Sequence, residues 1–573
     1  MQVTKWVFCA VLFFVTTGTM AQSTFLPQQS KHLHFFDRME IKTGRVADLR
    51  FTATKPYDRK YVVDFMTSVV DSLQRIKPLF FSVDTPLRLS AADQYNLHSL
   101  YLNNQEWLPA ERRSAFASKK KWGNTFYQTP AHLLEKYGDD FFVAVDPLLN
   151  YRQYVEAGNT NQNIFLNQRG AAVRGGIGGK VGFAASVMDV QERGPLFFQH
   201  WVDSLQAVPG GNFYKNFKQT GVDYIDARGS FTFTAAKYIQ FHAGYDRNFI
   251  GNGYRSLLLS DFAGNNLFVK LNTRIWKFNY QNLFMELHAG AASNNNNNLV
   301  PRKYATLHHL SLNVAPWLNV GVFEAVVFGR KDRFEFGYLN PIIFYRAIEG
   351  NLGSRDNALV GADFKANLAK RVQLYGQLML DELNIAKLRQ DASWWGNKTG
   401  FQLGMKYIDV ANISNLDAQV EWNRVRPFTY GHFDSVSNFS HYNQPLAHPL
   451  GANFNEWVLL LRYQPVGRLN LQARVIAWQQ GRDSSATGYN AGGNIFRLSG
   501  DGRTGEFGFR LLNGVRASGL NAALLASYEI RENIFLDLHA LFRRFTLGAA
   551  PAQNTTLLGL GLRMNLWHRD YDY

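Results

Sequence analysis

The sequence predicts an all-β protein, a transmembrane outer-membrane β-barrel of about eighteen antiparallel strands behind a small N-terminal helical segment. Three observations lead there. Beyond residue 21 no stretch is apolar for the roughly 18–20 residues a membrane helix needs, yet only 18% of the 573 residues are charged and 14% are aromatic. Segments of about ten residues alternate between apolar and polar, and short connections alternate with long ones. Helices and closed barrels alone satisfy their backbone groups inside a bilayer, so without helices the barrel remains.

Composition excludes the other classes. A soluble chain this long would split into domains joined by linkers, but 17 prolines are scattered and no Ser/Pro/Gly tract occurs. The aromatic content rules out a disordered chain, and one cysteine rules out a disulfide scaffold. Lys and Arg number 61 against 45 Asp and Glu. No basic helix or aromatic platform of a nucleic-acid module accompanies that excess, so nucleic acid is not an expected partner. The cations fall on the strand face turned from lipid, where they either make a lumen attractive to anions such as acidic polysaccharide or pair with luminal carboxylates.

The elements follow in order. Residues 1–21 read as a signal peptide: Lys5, an apolar run from Trp6 to Val15, and a cleavage site at Thr19-Met20-Ala21. Cys9 lies inside it, so the mature chain has no thiol for a disulfide or metal. Residues 22–140 read as a helical segment at the periplasmic mouth. Tyr61, Phe65, Val69 and Leu73 repeat along one helix, and Ser90 with Asp93 makes a capping box opening a second that carries Leu97, Leu100 and Tyr101.

Residues 141–573 carry the barrel pattern. Val372, Leu374, Gly376, Leu378 and Leu380 oppose Gln373, Tyr375, Gln377, Met379 and Asp381, and Leu558 to Leu566 place leucines outward against Gly559, Gly561, Arg563 and Asn565. Strands are expected near 141–150, 169–177, 180–190, 222–234, 237–247, 267–275, 278–289, 303–314, 318–329, 358–368, 371–382, 399–409, 413–425, 455–463, 468–480, 519–529, 533–546 and 555–567, with 504–516 competing for the sixteenth place. Every second connection is a tight turn, among them Gly178-Gly179, Trp276-Lys277, Ala369-Lys370 and Asn412. Both chain ends are then expected in the periplasm.

Catalytic signatures are missing: there is no G-x-S-x-G, H-E-x-x-H or P-loop. Gly175 to Lys180 is one residue short of a phosphate loop and sits at a tight turn. Adjacent strand residues face opposite ways, so neither His308-His309 as a metal pair nor Asp381-Glu382 as a carboxylate dyad is favoured. No enzyme activity and no cofactor or metal are expected. Two loop segments are denser in polar, glycine and aromatic residues than a passive loop needs. The first, 244–261, offers Asp246, Arg247, Asn248, Tyr254, Arg255 and Asp261. The second, 337–357, offers Asn340, Tyr345, Arg346, Glu349 and Asp356. Arg and Asp on a glycine-shaped backbone suggest loops folded in with paired charges, a plug. The run Asn294 to Asn298 reads as a solvated tip.

The 246–261 stretch, Asn340-Pro341 to Glu349, and Asp356-Asn357 continuing to Gly361-Ala362-Asp363 resemble the capsule assembly (Wzi) family, nearest to its gliding-motility RemB-like branch. The similarity is clearest over about residues 225–385. Capsule-anchoring members carry Trp-Gly-Pro in the first loop, where this chain has Ile250-Gly251-Asn252-Gly253. The resemblance implies an eighteen-stranded, plugged barrel in the outer membrane of a Gram-negative bacterium. It implies a surface lectin that retains or organises capsular or other surface polysaccharide, or supports gliding, with export or gliding components as partners. Arginines, carboxylates and aromatic faces suit sugars; Trp201, Trp394 and Trp395 add aromatic faces unless they belong to the interfacial girdle. The alternative is a substrate-specific porin, which would conduct ions.

Overall fold

A computed structural model describes residues 24–573 except 29, 47–52, 76–87, 120–122, 124, 160, 291–299, 331–332, 342–343, 354–355, 383, 435 and 567. Leu73 as a side chain and the Asn294–Asn298 run fall outside the described residues. Eighteen strands close the barrel. They are β1 Phe141–Glu156, β2 Ile164–Ile177, β3 Val181–Arg193, β4 Gly221–Ala236, β5 Ile239–Asp246 and β6 Asn266–Ile275. Next come β7 Phe278–His288, β8 Arg302–Ala315, β9 Leu318–Phe328, β10 Asn357–Leu368, β11 Val372–Glu382 and β12 Lys398–Tyr407. The last six are β13 Leu416–Val425, β14 Phe454–Val466, β15 Leu469–Arg482, β16 Val515–Arg531, β17 Ile534–Leu547 and β18 Gln553–Met564.

All neighbours pair antiparallel, and β18 closes on β1 from Leu557↔Glu156 to Met564↔Leu149. Below that point the short strand Leu134–Tyr137 takes over the edge of β1, pairing Leu134 with Val145, so the edge is not left open. The wall keeps the predicted parity. On β11, Gln373, Tyr375, Gln377 and Met379 are buried in the lumen while Leu378 faces out, and on β18 Leu558, Leu560 and Leu562 are half-exposed. No helix among the described residues is long and apolar enough to cross a membrane.

Several expectations need correction. The connection at Asn412 spans 408–415 and holds a short 3-10 turn, Val410–Asn412. Segment 504–516 is mostly loop; β16 begins at Val515 and is seventeen residues long. Leu566 does not continue the outward row: Asn565 takes a left-handed conformation (φ 53°) and turns the chain inward, where Leu566 joins a luminal cluster with Tyr571 and Tyr573. The C-terminal residues therefore thread back up the lumen, and Tyr573 does not lie at the short-turn rim. Its ring packs on Trp201 and Phe197, residues of the loop after β3.

The N-terminal segment is likewise more than a cover at the mouth. Its helices are α1 (Lys31–Thr43), α2 (Arg59–Arg75) and α3 (Ala91–Leu102). They share a core of Leu26, Phe35, Phe36, Met39, Val62, Met66 and Leu100. Ser90 and Asp93 form the predicted reciprocal cap of α3. The unanticipated α1 enters the barrel, where Glu40 meets Lys365 at 2.9 Å and Asp37 meets Lys406 at 2.7 Å. Ahead of α1, Phe25 stacks on the luminal His242. The α3 helix stays at the short-turn rim, with Asn103 and Ser99 donating to Glu532.

Candidate functional site

The lumen is filled from both ends, and the first polar loop supplies the centre. Its residues 247–265 turn inward after β5. Leu257, Leu258 and Leu259 seat on inward-facing Leu283, Leu307, Phe323, Leu359 and Met379, which explains why these wall positions break the polar-lumen rule. The tip hangs on one carboxylate: Glu421 on β13 accepts the backbone N–H of Tyr254 (2.7 Å) and Arg255 (3.0 Å), and Tyr375 and Asn423 also donate to it. Gln377 accepts from Leu257 N–H and donates to the Ile250 carbonyl. The approach is close enough to demand glycine, since a Cβ on Gly253 would lie 2.3 Å from the Glu421 carboxylate.

The C-terminal run Arg569-Asp570-Tyr571-Asp572-Tyr573 rises to meet this tip. Asp572 binds Arg255 at 3.0 Å and accepts the Tyr254 hydroxyl, and Arg474 holds Asp570 at 2.5 Å and donates to Tyr254 at 3.0 Å. On the other side Tyr571 donates to Glu192, and Arg569 pairs with the same carboxylate at 3.0 Å. Burial alone would lower the Arg255 guanidinium pKa, but the Asp572 and Glu456 charges outweigh it and raise it. A third loop, 426–453, lies above as a lid. Tyr430 donates to the Leu257 carbonyl, Ser260 N–H to the Leu446 carbonyl, and Lys303 on β8 to Asn438 and Ser440.

From below, residues Thr54–Lys55 pair with Phe249–Ile250 of the tip as a two-stranded sheet. Arg38 on α1 contacts three carboxylates: Asp93 (2.8 Å), Asp409 (2.6 Å) and Asp417 (2.5 Å). Removing one partner of such a buried cluster would leave an uncompensated charge, so its members hold one another in place. Between α1, the tip and the tail lies a cavity of about 450 Å³, lined among others by Lys55, Arg247, Asp261, Lys406, Arg462 and Asp570. A second, of about 330 Å³, shares Arg247, Asp261 and Arg569 with it. Burial pushes the Lys55 ammonium down to about 8, partly offset by Asp37. For Asp37 burial works upward, but Lys406 and Lys55 outweigh it and hold the carboxyl at about 2. The luminal cations are thus largely paired or hydrogen-bonded.

The family model for the capsule assembly protein Wzi matches residues 127–539. The chain belongs to the Wzi capsule assembly family. Among solved structures it is similar to the Escherichia coli outer-membrane protein Wzi, a carbohydrate-binding β-barrel involved in group 1 capsule assembly, at 12% identity and a TM-score of 0.54, covering 95% of this chain and 100% of that one. Two others are Pseudomonas aeruginosa OprD (12% identity, 74% and 94% covered, TM-score 0.40) and Acinetobacter baumannii OccAB2 (10%, 73% and 97%, 0.39). No curated protein matches the sequence. Family and fold together make this an outer-membrane β-barrel of the Gram-negative type, so the short turns are periplasmic and the long loops extracellular.

In this Wzi-family barrel the two candidate segments part company. Asp246, Arg247, Asn248, Tyr254, Arg255 and Asp261 come together inside. Arg247 is spent on Asn265 and on the carbonyls of Asp261 and Gly210, and Asn248 accepts from Lys270. Asn340, Tyr345, Glu349 and Asp356 lie elsewhere, against the outer wall, so the second segment is not part of a luminal plug. The Arg346 side chain is outside the described residues. His309 points inward to Asp363 at 2.6 Å and His308 outward under Tyr345, as strand parity requires. Trp201 packs inside on Tyr573, Trp394 is buried, and Trp395 lies under the Arg503 guanidinium at 3.9 Å.

Sequence patterning missed Glu421, the lid loop and the tail. Two signals stood in the sequence: the alternating Asp-Tyr tail after the last strand, and, within the lid, the stretch 435–450 without a single Asp, Glu, Lys or Arg. His539, His568 and Asp570 place metal-type donor atoms within 4.8 Å of one another, but Arg474 already neutralises Asp570.

Proposed function

We propose that this protein is a surface lectin: a plugged barrel that binds or organises exported capsular or other surface polysaccharide without transforming it. The observation that carries the reading is the occupied lumen in a member of a capsule assembly family. Residues Thr54–Lys55, the 426–453 lid and the C-terminal tail each bind the 247–265 tip, and helix α1 is anchored on the inner wall beside them, which favours a binding scaffold over the porin alternative. The E. coli relative's carbohydrate binding supports the same substrate class.

Arg255 and Tyr254 then act as plug contacts, and the polymer meets the extracellular cap, where Trp395, Arg503 and Phe433 offer aromatic and cationic surface. The finer role, capsule retention or gliding, follows from which polymer is held. The test is cell-bound against shed polysaccharide in a deletion strain complemented with wild type or Trp395→Ala, with motility scored alongside. Polymer shed by the deletion strain and by Trp395→Ala, but not by wild type, is the expected result. Unchanged retention in the deletion strain, with ion conductance by the purified protein in planar bilayers, overturns it in favour of the porin.

A further inference from the structure

Strand parity puts four polar side chains on the wrong side of the wall. Leu283, Leu307 and Phe323 face the lumen. Their sequence neighbours Asn282, Thr306, His308 and Glu324 therefore face outward, His308 pairing with Asn282 on β7 and with Glu324 on β9. His308 stands seven residues from Ala315 at the short-turn end of β8. At about 3.3 Å per residue and a tilt of about 40°, that is roughly 18 Å up a wall whose apolar band is about 25 Å tall. Bare polar groups there would meet hydrocarbon at a cost of several kcal/mol each.

They are not bare. The described residues of the loop after β9, between 329 and 356, fold down over the outer wall. The segment contains a short 3-10 turn, Phe336–Leu339, and helix α4, Tyr345–Leu352. Tyr338 and Tyr345 are wholly buried against Tyr304, Val326 and Phe328, backed by Phe334 and Ile348. The Tyr345 ring lies 4.0 Å from that of His308, and the Tyr280 hydroxyl donates to the Pro341 carbonyl. A two-pronged Arg330–Asp356 pair (2.8 and 2.6 Å), with Tyr338 donating to the same carboxylate at 2.6 Å, pins the flap's two ends together.

The flap's other face is apolar. Phe336 is 76% and Phe344 73% exposed, and Leu339 and Leu352 are open beside them. On the same wall just below, Val322, Leu310 and Val314 are the lipid-facing residues of β8 and β9. The apolar surface of the barrel thus continues over the flap, and the occupant that suits both is the same one. We propose that residues 329–356 are a membrane-seated flap whose Phe336, Leu339, Phe344 and Leu352 contact the acyl chains of the outer leaflet. It shields the polar patch of Asn282, Thr306, His308 and Glu324 from lipid. This stands independently of the polysaccharide reading.

The test uses single spin labels. Cys9 is the only cysteine, so Phe336→Cys and Phe344→Cys are made in a Cys9→Ser background, with Val322→Cys on the lipid-facing wall and Ser485→Cys in an exposed loop as references. The full chain is reconstituted in vesicles of phosphatidylethanolamine and phosphatidylglycerol, and collision with oxygen and with a water-soluble nickel chelate is measured by EPR. The expected result is loss of nickel-chelate collisions at both flap positions, with oxygen accessibility as high as at Val322→Cys. Accessibility to nickel as at Ser485→Cys overturns the proposal. So does protection from both reagents, which would mean that a second protein surface, such as another copy of this chain, covers the flap. All labelled sites are exposed side chains, and heat-modifiable electrophoretic mobility verifies that each barrel is folded.

Discussion

Loops 247–265 and 329–356 are written in the same alphabet: arginine, aspartate, glycine and tyrosine around a short apolar run. One fills the lumen and the other lies on the outer wall. The difference comes from the walls. The first loop finds Glu421, Gln377 and Gln402 pointing inward, each hydrogen-bonding its backbone, and an inward apolar patch for its three leucines. The second finds outward polar groups on β7, β8 and β9 and covers those. A loop goes where otherwise unsatisfied polar groups stand, because an unpaired buried donor or acceptor costs about 1–3 kcal/mol.

The comparison breaks most visibly at Glu421. Replacing it in Glu421→Ala strands the N–H groups of Tyr254 and Arg255, both held by that carboxylate, at about 1–3 kcal/mol each. The tip should leave its seat, and planar-bilayer conductance should rise above that of wild type; an unchanged conductance would mean the lid and tail alone close the lumen. Asp356→Asn is the matching change outside. It weakens the Arg330 pair and the Tyr338 bond, so amide exchange should quicken across 336–352 while conductance stays at the wild-type level.

The smallest effect separates both loops from the N-terminal helices. Burial works to raise the Asp93 carboxyl, but Arg38 and Lys42 outweigh it and hold it at about 2, against an ordinary 3.8. A carboxyl lowered in the folded state adds stability above its unfolded pKa, here about 2 kcal/mol, and loses it as pH falls from about 4 to about 2. Pepsin should then cut within α1 to α3 near pH 2 while sparing the barrel strands and, at about pH 4, leave the helices intact. Equal resistance at both values would show that the Arg38 cluster contributes nothing to their docking.

The wall was legible because a strand in a membrane obeys a period of two with few exceptions. Val372 to Asp381 and Leu558 to Leu562 sit on the expected faces, and eighteen strands close the ring. The exceptions were the informative part. Leu283, Leu307 and Phe323 inward, and Asn282, His308 and Glu324 outward, are marks of covered wall, but each is a single deviation that carries no partner's name. Helix α1 was invisible for a related reason: it carries Lys31, Asp37, Arg38, Glu40 and Lys42, and only a charged lumen makes such a helix buriable.

The amino-acid sequence by itself determined the membrane class, the strand count, the parity of strands such as those at Val372 and Leu558, and the family resemblance, since all of these rest on local periodicity and short motifs. The tertiary structure alone decided that the C-terminal tail re-enters the barrel, that one polar loop plugs the lumen while its twin lies on the outer wall, and that Arg255 serves a carboxylate of that tail. Those outcomes turn on pairs such as Arg255 with Asp572 and Glu40 with Lys365, more than 300 residues apart in the chain. A buried charge finds its partner through space, and nothing in its sequence neighbourhood records which one it will be.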